Sequence, residues 1–490
     1  MAVRKDFLLK ALLKHNYFPL QKKRKGELPP IFSSSDLTKN IAEEVQNVTL
    51  SNDRKKHGFD SIQYRSTRFN NVPRLLTIPH PKPYCDLCLE IYKNWGKVKG
   101  ICTNVNSLIR PRTHEDGRTI IMDYETSLAK RNRFYKAAFG KKFLALADIS
   151  NFYPSLYSHA IPWALVGIPK AKEQQRDSSK WFNKIDKLLR SCNRNETAGV
   201  PIGPATSNIA SEILLERIDR DLRKKFNYIR FIDDYTAYCE THTEAEEFIR
   251  ELSIMLMQYK LNLNIKKTEI TSLPQAINEG WIGRMREIIP RDKEITSSQV
   301  SNILDAAIRL QKDNPGGSIL KYAASSIAPK LNDSSSIEFS KYLIKLCFYY
   351  PVLIPILNKP LVAVYKTGSG NFEKELHFLL NDSIKYGRSD AMSWLLYYLK
   401  IFYNDLPVEL AKKIIECGDC TALTLLAEYP VHQKKIVGFA EQLKREGLYE
   451  LDAYWLLLYQ LYSKDFISNP YIHDDTFKVL RKNKVSFVEI

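Results

Sequence analysis

Residues 228–239 read YIRFIDDYTAYC. β-Branched and aromatic residues on both sides of a short polar centre predict a hairpin that turns at Asp233 and Asp234. Adjacent carboxylates at a buried turn repel each other unless a cation lies between them. Hard divalent ions that take oxygen ligands suit such a pair. A solvated turn would account for the two aspartates by themselves, but not for a second carboxylate strand upstream. Residues 142–148, KFLALAD, form an apolar run of strand length that ends at Asp148, before Phe152, Tyr153 and the breaker Pro154. An aspartate ending one central strand and two more on a neighbouring hairpin make a carboxylate platform for two-ion, in-line phosphoryl chemistry.

Between these elements lies AGVPIGPATSN, residues 198–208, which leads into IASEILLERI, residues 209–218, with apolar positions at helical spacing. Glycines let a backbone approach a nucleotide closely, and a helix N-terminus favours phosphate. In this order the three elements resemble the palm motifs A, B and C of reverse transcriptases. Asp148 falls in motif A, residues 199–207 in the motif B loop and residues 231–234 in motif C. Downstream, LNLNIKKT at residues 261–268 resembles motif D, and WIGR at residues 281–284 falls where the primer-grip hairpin lies. The resemblance covers roughly the first three-fifths of the chain. It implies an α+β right-hand fold of fingers and palm. The implied catalytic set is Asp148, Asp233, Asp234 and Lys267, the lysine as acid for the leaving pyrophosphate. Two Mg2+ ions, or Mn2+, would be held at Asp148, Ile149, Asp233 and Asp234. The implied substrates are dNTPs and the product DNA, with Pro201, Gly203 and Ser207 as substrate-binding positions.

The wording DISNFYPSLYSH, residues 148–159, together with GVPIGPATS, residues 199–207, is similar to bacterial abortive-infection and defence-associated reverse transcriptases. Ile202 stands where retroelement enzymes commonly carry glutamine. An apolar side chain cannot make that glutamine's polar contacts. The resemblance therefore leaves two modes open: copying of a noncoding RNA, or synthesis without a conventional template, primed from a protein hydroxyl. It also implies antiphage defence in a bacterial cytoplasm and a homo-oligomer. Tyr153 lies five positions after Asp148, where a bulky residue blocks the ribose 2′-hydroxyl in this family. Strand alternation would put Phe152 and Tyr153 on opposite faces, so one of them packs in the core. Tyr153 is the pocket candidate and Phe152 the next.

The chain has 490 residues and a net charge of +18, which points to an anionic partner, here nucleic acid. KKRK at residues 22–25 is either a solvated basic loop or a phosphate-contacting arm. Eight scattered cysteines and no signal peptide lead to the expectation of a reduced cytosol. The pairs Cys85/Cys88 and Cys417/Cys420 lie far apart and lack histidines at ligand spacing, so they read as small buried residues on helices rather than zinc ligands. The most apolar stretch, residues 346–365, is interrupted by Pro351, Pro355, Lys359 and Pro360, so no membrane span is expected.

Residues 1–60 are predicted to be a basic helical extension of the fingers, 61–290 fingers and palm, 291–320 a thumb-like helix and linker, and 321–490 a helical repeat domain. Residues 65–83 are expected to be extended, with Arg74 as first candidate to hold the incoming triphosphate and residues 130–133, KRNR, as the second. Residues 84–96 and 123–139 read as amphipathic helices, and residues 244–259 as a helix with Phe248, Leu252, Met255 and Leu256 inward. The cluster KDNPGGS at residues 312–318 is a breaker. Beyond it, three similar segments begin at Asp390, Asp419 and Asp452, spaced by 29 and 33 residues, as in a HEAT-like repeat. Their aspartates are expected as N-caps, and Trp394 and Trp455 as inter-repeat core. A rival reading is a nucleic-acid-binding scaffold signalling through these repeats; intact carboxylates, costly to bury together, argue against it. An RNA polymerase on the same palm is a further reading, opposed by Tyr153.

Overall fold

The computed structural model describes residues 3–19, 27–68, 71–122, 126–277, 279–292, 294–368 and 370–489. The basic segment at residues 22–25 lies outside the described residues. Two sheets are present among the described residues. β1 (Ser61–Thr67) and β2 (Pro73–Pro79) form an antiparallel hairpin. β3 (Phe143–Asp148), β4 (Tyr228–Phe231), β5 (Asp234–Cys239) and β6 (Glu269–Ser272) form an antiparallel sheet in the order β4-β5-β3-β6. The β3 run FLALAD is central and paired on both sides, with Leu144, Ala145, Ala147 and Asp148 buried and Phe143 and Leu146 half-buried. The helix His242–Gln258 packs on β3 and β5 through Phe248, Leu252 and Leu256, all fully buried, while Met255 is half-buried.

Downstream of residue 296 the described chain is helical. The helices Ser297–Asp313, Asp333–Tyr349, Glu373–Lys385 and Val408–Cys417 succeed one another as packed neighbours in one row. A second row, Ser389–Phe402, Cys420–Leu426 and Trp455–Ser463, lies between them and the β1–β2 hairpin. The fold is thus α+β, a small antiparallel sheet with packed helices followed by a helical region.

Several local expectations are corrected. The helix expected at 84–96 is Pro81–Lys93, because prolines in a first turn have no amide to lose and the His80 side chain caps it. The extended segment therefore ends at Pro79 rather than at residue 83. The helix in 123–139 is Ser127–Ala138, and none of its described side chains is buried. Leu128 and Phe134 are 600° apart along the wheel at about 100° per residue, hence on different faces, so no apolar stripe forms. No hairpin occurs at 281–284; Gly280–Ile288 is a helix, because Trp281 and Met285, both inward, recur at helical spacing.

The repeat aspartates divide. Asp419 caps its helix, accepting from the Ala422 amide at 2.9 Å. Asp390 sits inside the first turn of Ser389–Phe402 and accepts from the Thr67 amide and hydroxyl of β1 at 2.6 and 2.8 Å. Asp452 lies within Leu448–Ala453, paired with buried Arg54 and accepting from the Asp60 amide at 2.9 Å and the Tyr471 hydroxyl at 3.0 Å. Nor do the tryptophans serve only inter-repeat packing. The Trp455 indole donates to the Ile78 carbonyl of β2 at 3.1 Å, and that of Trp394 to the Glu27 carbonyl at 3.3 Å. These side chains satisfy backbone of the N-terminal region, a demand invisible in the repeat pattern.

Candidate active site

The β3–β5 register places Asp148 opposite Asp234. Asp233 occupies the turn between β4 and β5, where Phe231 pairs with Asp234 and only two residues make the turn. Its carbonyl accepts from the Ile149 amide at 3.2 Å, tying the end of β3 to the turn. Asp148 is buried, 7% exposed. One of its oxygens accepts from the Asn264 side-chain amide at 3.1 Å and the other from the Lys267 ammonium at 3.0 Å. Lys267 ends a short 3-10 turn, Ile265–Lys267, that the Asn264 amide pins to the Asp148 carbonyl at 2.7 Å.

Burial, then the neighbouring Asp148 charge, holds the Asp233 carboxyl above its ordinary value. Much of Asp234 reaches solvent, yet desolvation by the surrounding protein, the charge of Asp233 and the Asp148 carboxyl together push it up to about 7. The hydrogen bond to Asp148 raises the Lys267 ammonium above the usual lysine value. Such carboxyls are short of positive charge, and an all-oxygen donor set fits a hard divalent ion. Among the described residues no group of three or more acidic, histidine or cysteine side chains is preassembled as a metal cage. Lys267 and Asn264 take the Asp148 oxygens instead.

Arg74, half-buried on β2, acts electrostatically on both Asp233 and Tyr153. The second triphosphate candidate, residues 130–133, lies along the sparsely packed helix Ser127–Ala138. Tyr153 is 7% exposed, and its hydroxyl accepts from the Asn208 side-chain amide at 2.7 Å. Burial drives its phenol upward. Phe152 is also buried, its ring 5.3 Å from that of Tyr153. The strand-alternation argument for separating the two does not hold. Asn151 turns left-handed at φ 50°, and Phe152–Ser155 is a single helical turn, so the neighbours diverge by roughly 100° rather than 180°.

The loop of residues 199–207 leans on the β1–β2 hairpin. The Ile202 carbonyl accepts from the Thr77 amide at 2.7 Å. Gly203 has φ 146°, and a Cβ there would stand 2.7 Å from the Thr77 carbonyl oxygen. Pro201 and Ser207 are buried, Ser207 in the first turn of the helix Ala205–Leu222. These three positions are thus engaged in packing around the loop.

Sequence reasoning missed Asn208, Asn264 and a buried ionic cluster behind the turn. Arg230 on β4 is fully buried between Glu212 and Asp219 of the helix Ala205–Leu222. Its signal was an arginine at an inward-facing strand position, alternating with Ile229 and Phe231.

Residues 91–304 match the reverse transcriptase (RNA-dependent DNA polymerase) family. No curated protein matches the chain in sequence. Similar solved structures include a truncated apo telomerase from Candida tropicalis, 14% identical with a TM-score of 0.31, which shares 49% of this chain and 55% of its own. The fuller apo telomerase of Candida tropicalis is 12% identical with a TM-score of 0.32, covering 80% of this chain and 70% of that one. A Candida albicans telomerase in complex with a TWJ fragment of telomeric RNA is 10% identical, with a TM-score of 0.29 and coverages of 82% and 67%. This chain therefore spans little more than half of the first of these proteins. No described helix is long and apolar enough to cross a membrane. The carboxylates of β3 and of the β4–β5 turn both lie inside the segment, residues 91–304, that is similar to the reverse transcriptase family.

Proposed function

We propose that the chain is a DNA polymerase that joins dNTPs by attack of a hydroxyl on the α-phosphate. The observation that carries this reading is the cross-strand pair Asp148 and Asp234 beside Asp233, with Lys267 at the edge. Two divalent ions, Mg2+ or Mn2+, held by Asp148, Asp233, Asp234 and the backbone of Ile149, would neutralise the triphosphate and acidify the attacking hydroxyl. Arg74 binds triphosphate oxygens, Tyr153 excludes the 2′-hydroxyl, and Lys267 hands a proton to the departing pyrophosphate. Asp233→Asn and Asp148→Ala variants should remain folded and lose dNTP incorporation; full incorporation by the doubly substituted protein would sink the assignment.

The similarity to abortive-infection enzymes supports a finer reading: antiphage defence by a homo-oligomer in a bacterial cytoplasm, with residues 321–490 as a helical unit. Phage plating on cells that express the parent or the Asp233→Asn form tests the defence role, and sedimentation tests the oligomer. Ile202, in place of a template-contacting glutamine, supports synthesis either along a noncoding RNA or without a template, started from a protein hydroxyl. Sequencing co-purifying nucleic acid separates the two. Protein-primed product should stay attached after denaturation and be released by protease; product that runs free after heat and detergent would exclude protein priming.

A further inference from the structure

The turn that carries Asp233 has an uncomfortable backbone. Ile232 adopts φ 58°, a region that β-branched residues enter only at a cost and only when their surroundings impose it. The residue that imposes it is at hand. Arg230 Nη1 donates to the Ile232 carbonyl at 2.9 Å. Its remaining N–H groups are aimed at carboxylates: Nε and Nη2 to Asp219 at 2.9 and 2.8 Å, Nη1 and Nη2 to Glu212 at 2.8 and 3.1 Å. The five donors of the guanidinium are thus all engaged, in a side chain with no exposure to solvent. The carboxylates are fixed in turn. Asp219 also accepts from Asn104 at 2.6 Å and from the Tyr228 hydroxyl at 2.9 Å.

We infer that Arg230 is a positioning residue: it clamps the Ile232 carbonyl, sets the left-handed turn, and so aims Asp233 at the cation site. The inference rests on the polymerase reading for its purpose but not for its geometry. Because Glu212 and Asp219 belong to the helix that continues the motif B loop, the same clamp fixes the turn relative to that loop. Lysine cannot replace this function. Its single ammonium can sit between Glu212 and Asp219 and keep the charge balance, but it lacks the fork that reaches the carbonyl as well.

Two forms of the full-length chain test the clamp. Arg230→Lys keeps the buried charge. The triple variant Arg230→Met, Glu212→Gln, Asp219→Asn removes the ionic cluster without leaving a charge unpaired, a replacement that buried ion clusters often tolerate. Thermal melting establishes that each is folded, and at least one should melt close to the parent. On folded protein, Mn2+ binding is measured from the free-ion EPR signal, alongside kcat and KM for a dNTP. The expected result is Mn2+ affinity weakened about 10-fold and kcat lowered about 100-fold, as a misplacement of about 1 Å produces, with KM for the dNTP little changed. Unaltered Mn2+ affinity in a folded variant would overturn the proposal and leave Arg230 a packing residue. If the parent itself incorporates no dNTP, the polymerase reading fails, while the Mn2+ comparison still decides the role of Arg230.

Discussion

Asp148 commits both carboxylate oxygens to Asn264 and Lys267, so an entering divalent ion must compete with an ammonium already in place. Lys267 is largely exposed and can swing away. Replacing it by methionine should therefore separate two effects. Turnover should drop about 100-fold through loss of the proposed acid, while divalent-ion affinity stays level or rises; weaker ion binding in Lys267→Met would refute the competition. Tyr153 poses a different test. Its hydroxyl is held by Asn208 rather than left facing solvent, so the ring is fixed as a wall. Tyr153→Ala should raise NTP use relative to dNTP use by about 10-fold or more, read by competing the two in one reaction. Unchanged sugar selectivity would make Tyr153 core and pass the role to Phe152. The residues bearing charge at the centre were legible because carboxylates on apolar strands are conspicuous. Asn208 and Asn264 were not, since an asparagine at a helix start or in a loop is ordinary until its partner is known.

At the scale of elements, the β4–β5 hairpin, β3 and the helix Ala205–Leu222 all follow from local patterns, and each places one part of the site. What local pattern could not supply was the reach from one element to another. The motif B loop reads as a glycine loop made for substrate, yet Gly203 approaches the carbonyl of Thr77 on β2. A side chain there meets both a disallowed φ and backbone that cannot retreat. Gly203→Ala should destabilise the fold by about 1–3 kcal/mol and detach the loop from the β1–β2 hairpin, lowering incorporation more than melting temperature alone explains. An alanine variant with parental stability and activity would show that the close approach is dispensable. The helix Gly280–Ile288 departs from the expected hairpin for a related reason. Position relative to motif D suggested a hairpin, but the spacing of Trp281 and Met285 obeys a helix, and local periodicity prevailed over analogy.

Across the whole molecule, the helical region braces the β1–β2 hairpin. Asp390 completes hydrogen bonds of β1, Trp455 those of β2, and Asp452 buries Arg54 and holds the start of β1 through Asp60. The C-terminal segment adds Phe487 and Val488, which pair with residues 32 and 33. Arg74 rides on the hairpin so held, and the triphosphate contact proposed for it depends on where that hairpin lies. The repeat pattern revealed helices but not the partner, because an aspartate that caps a helix and one that crosses to another element have the same sequence signature. Truncation at Pro315 should consequently strip the β1–β2 hairpin of its partners and yield a chain that neither melts cooperatively nor polymerises. A gentler test removes one contact: Asp452→Ala leaves Arg54 buried without its counter-charge, a loss of about 3 kcal/mol or more. Arg54→Met combined with Asp452→Leu, which replaces the pair by apolar groups of similar size, should recover most of that stability. Incorporation should follow stability in both variants, since neither residue touches Asp148, Asp233 or Asp234. If Asp452→Ala melts like the parent but polymerises poorly, the helical region acts on the site by some route other than bracing the hairpin.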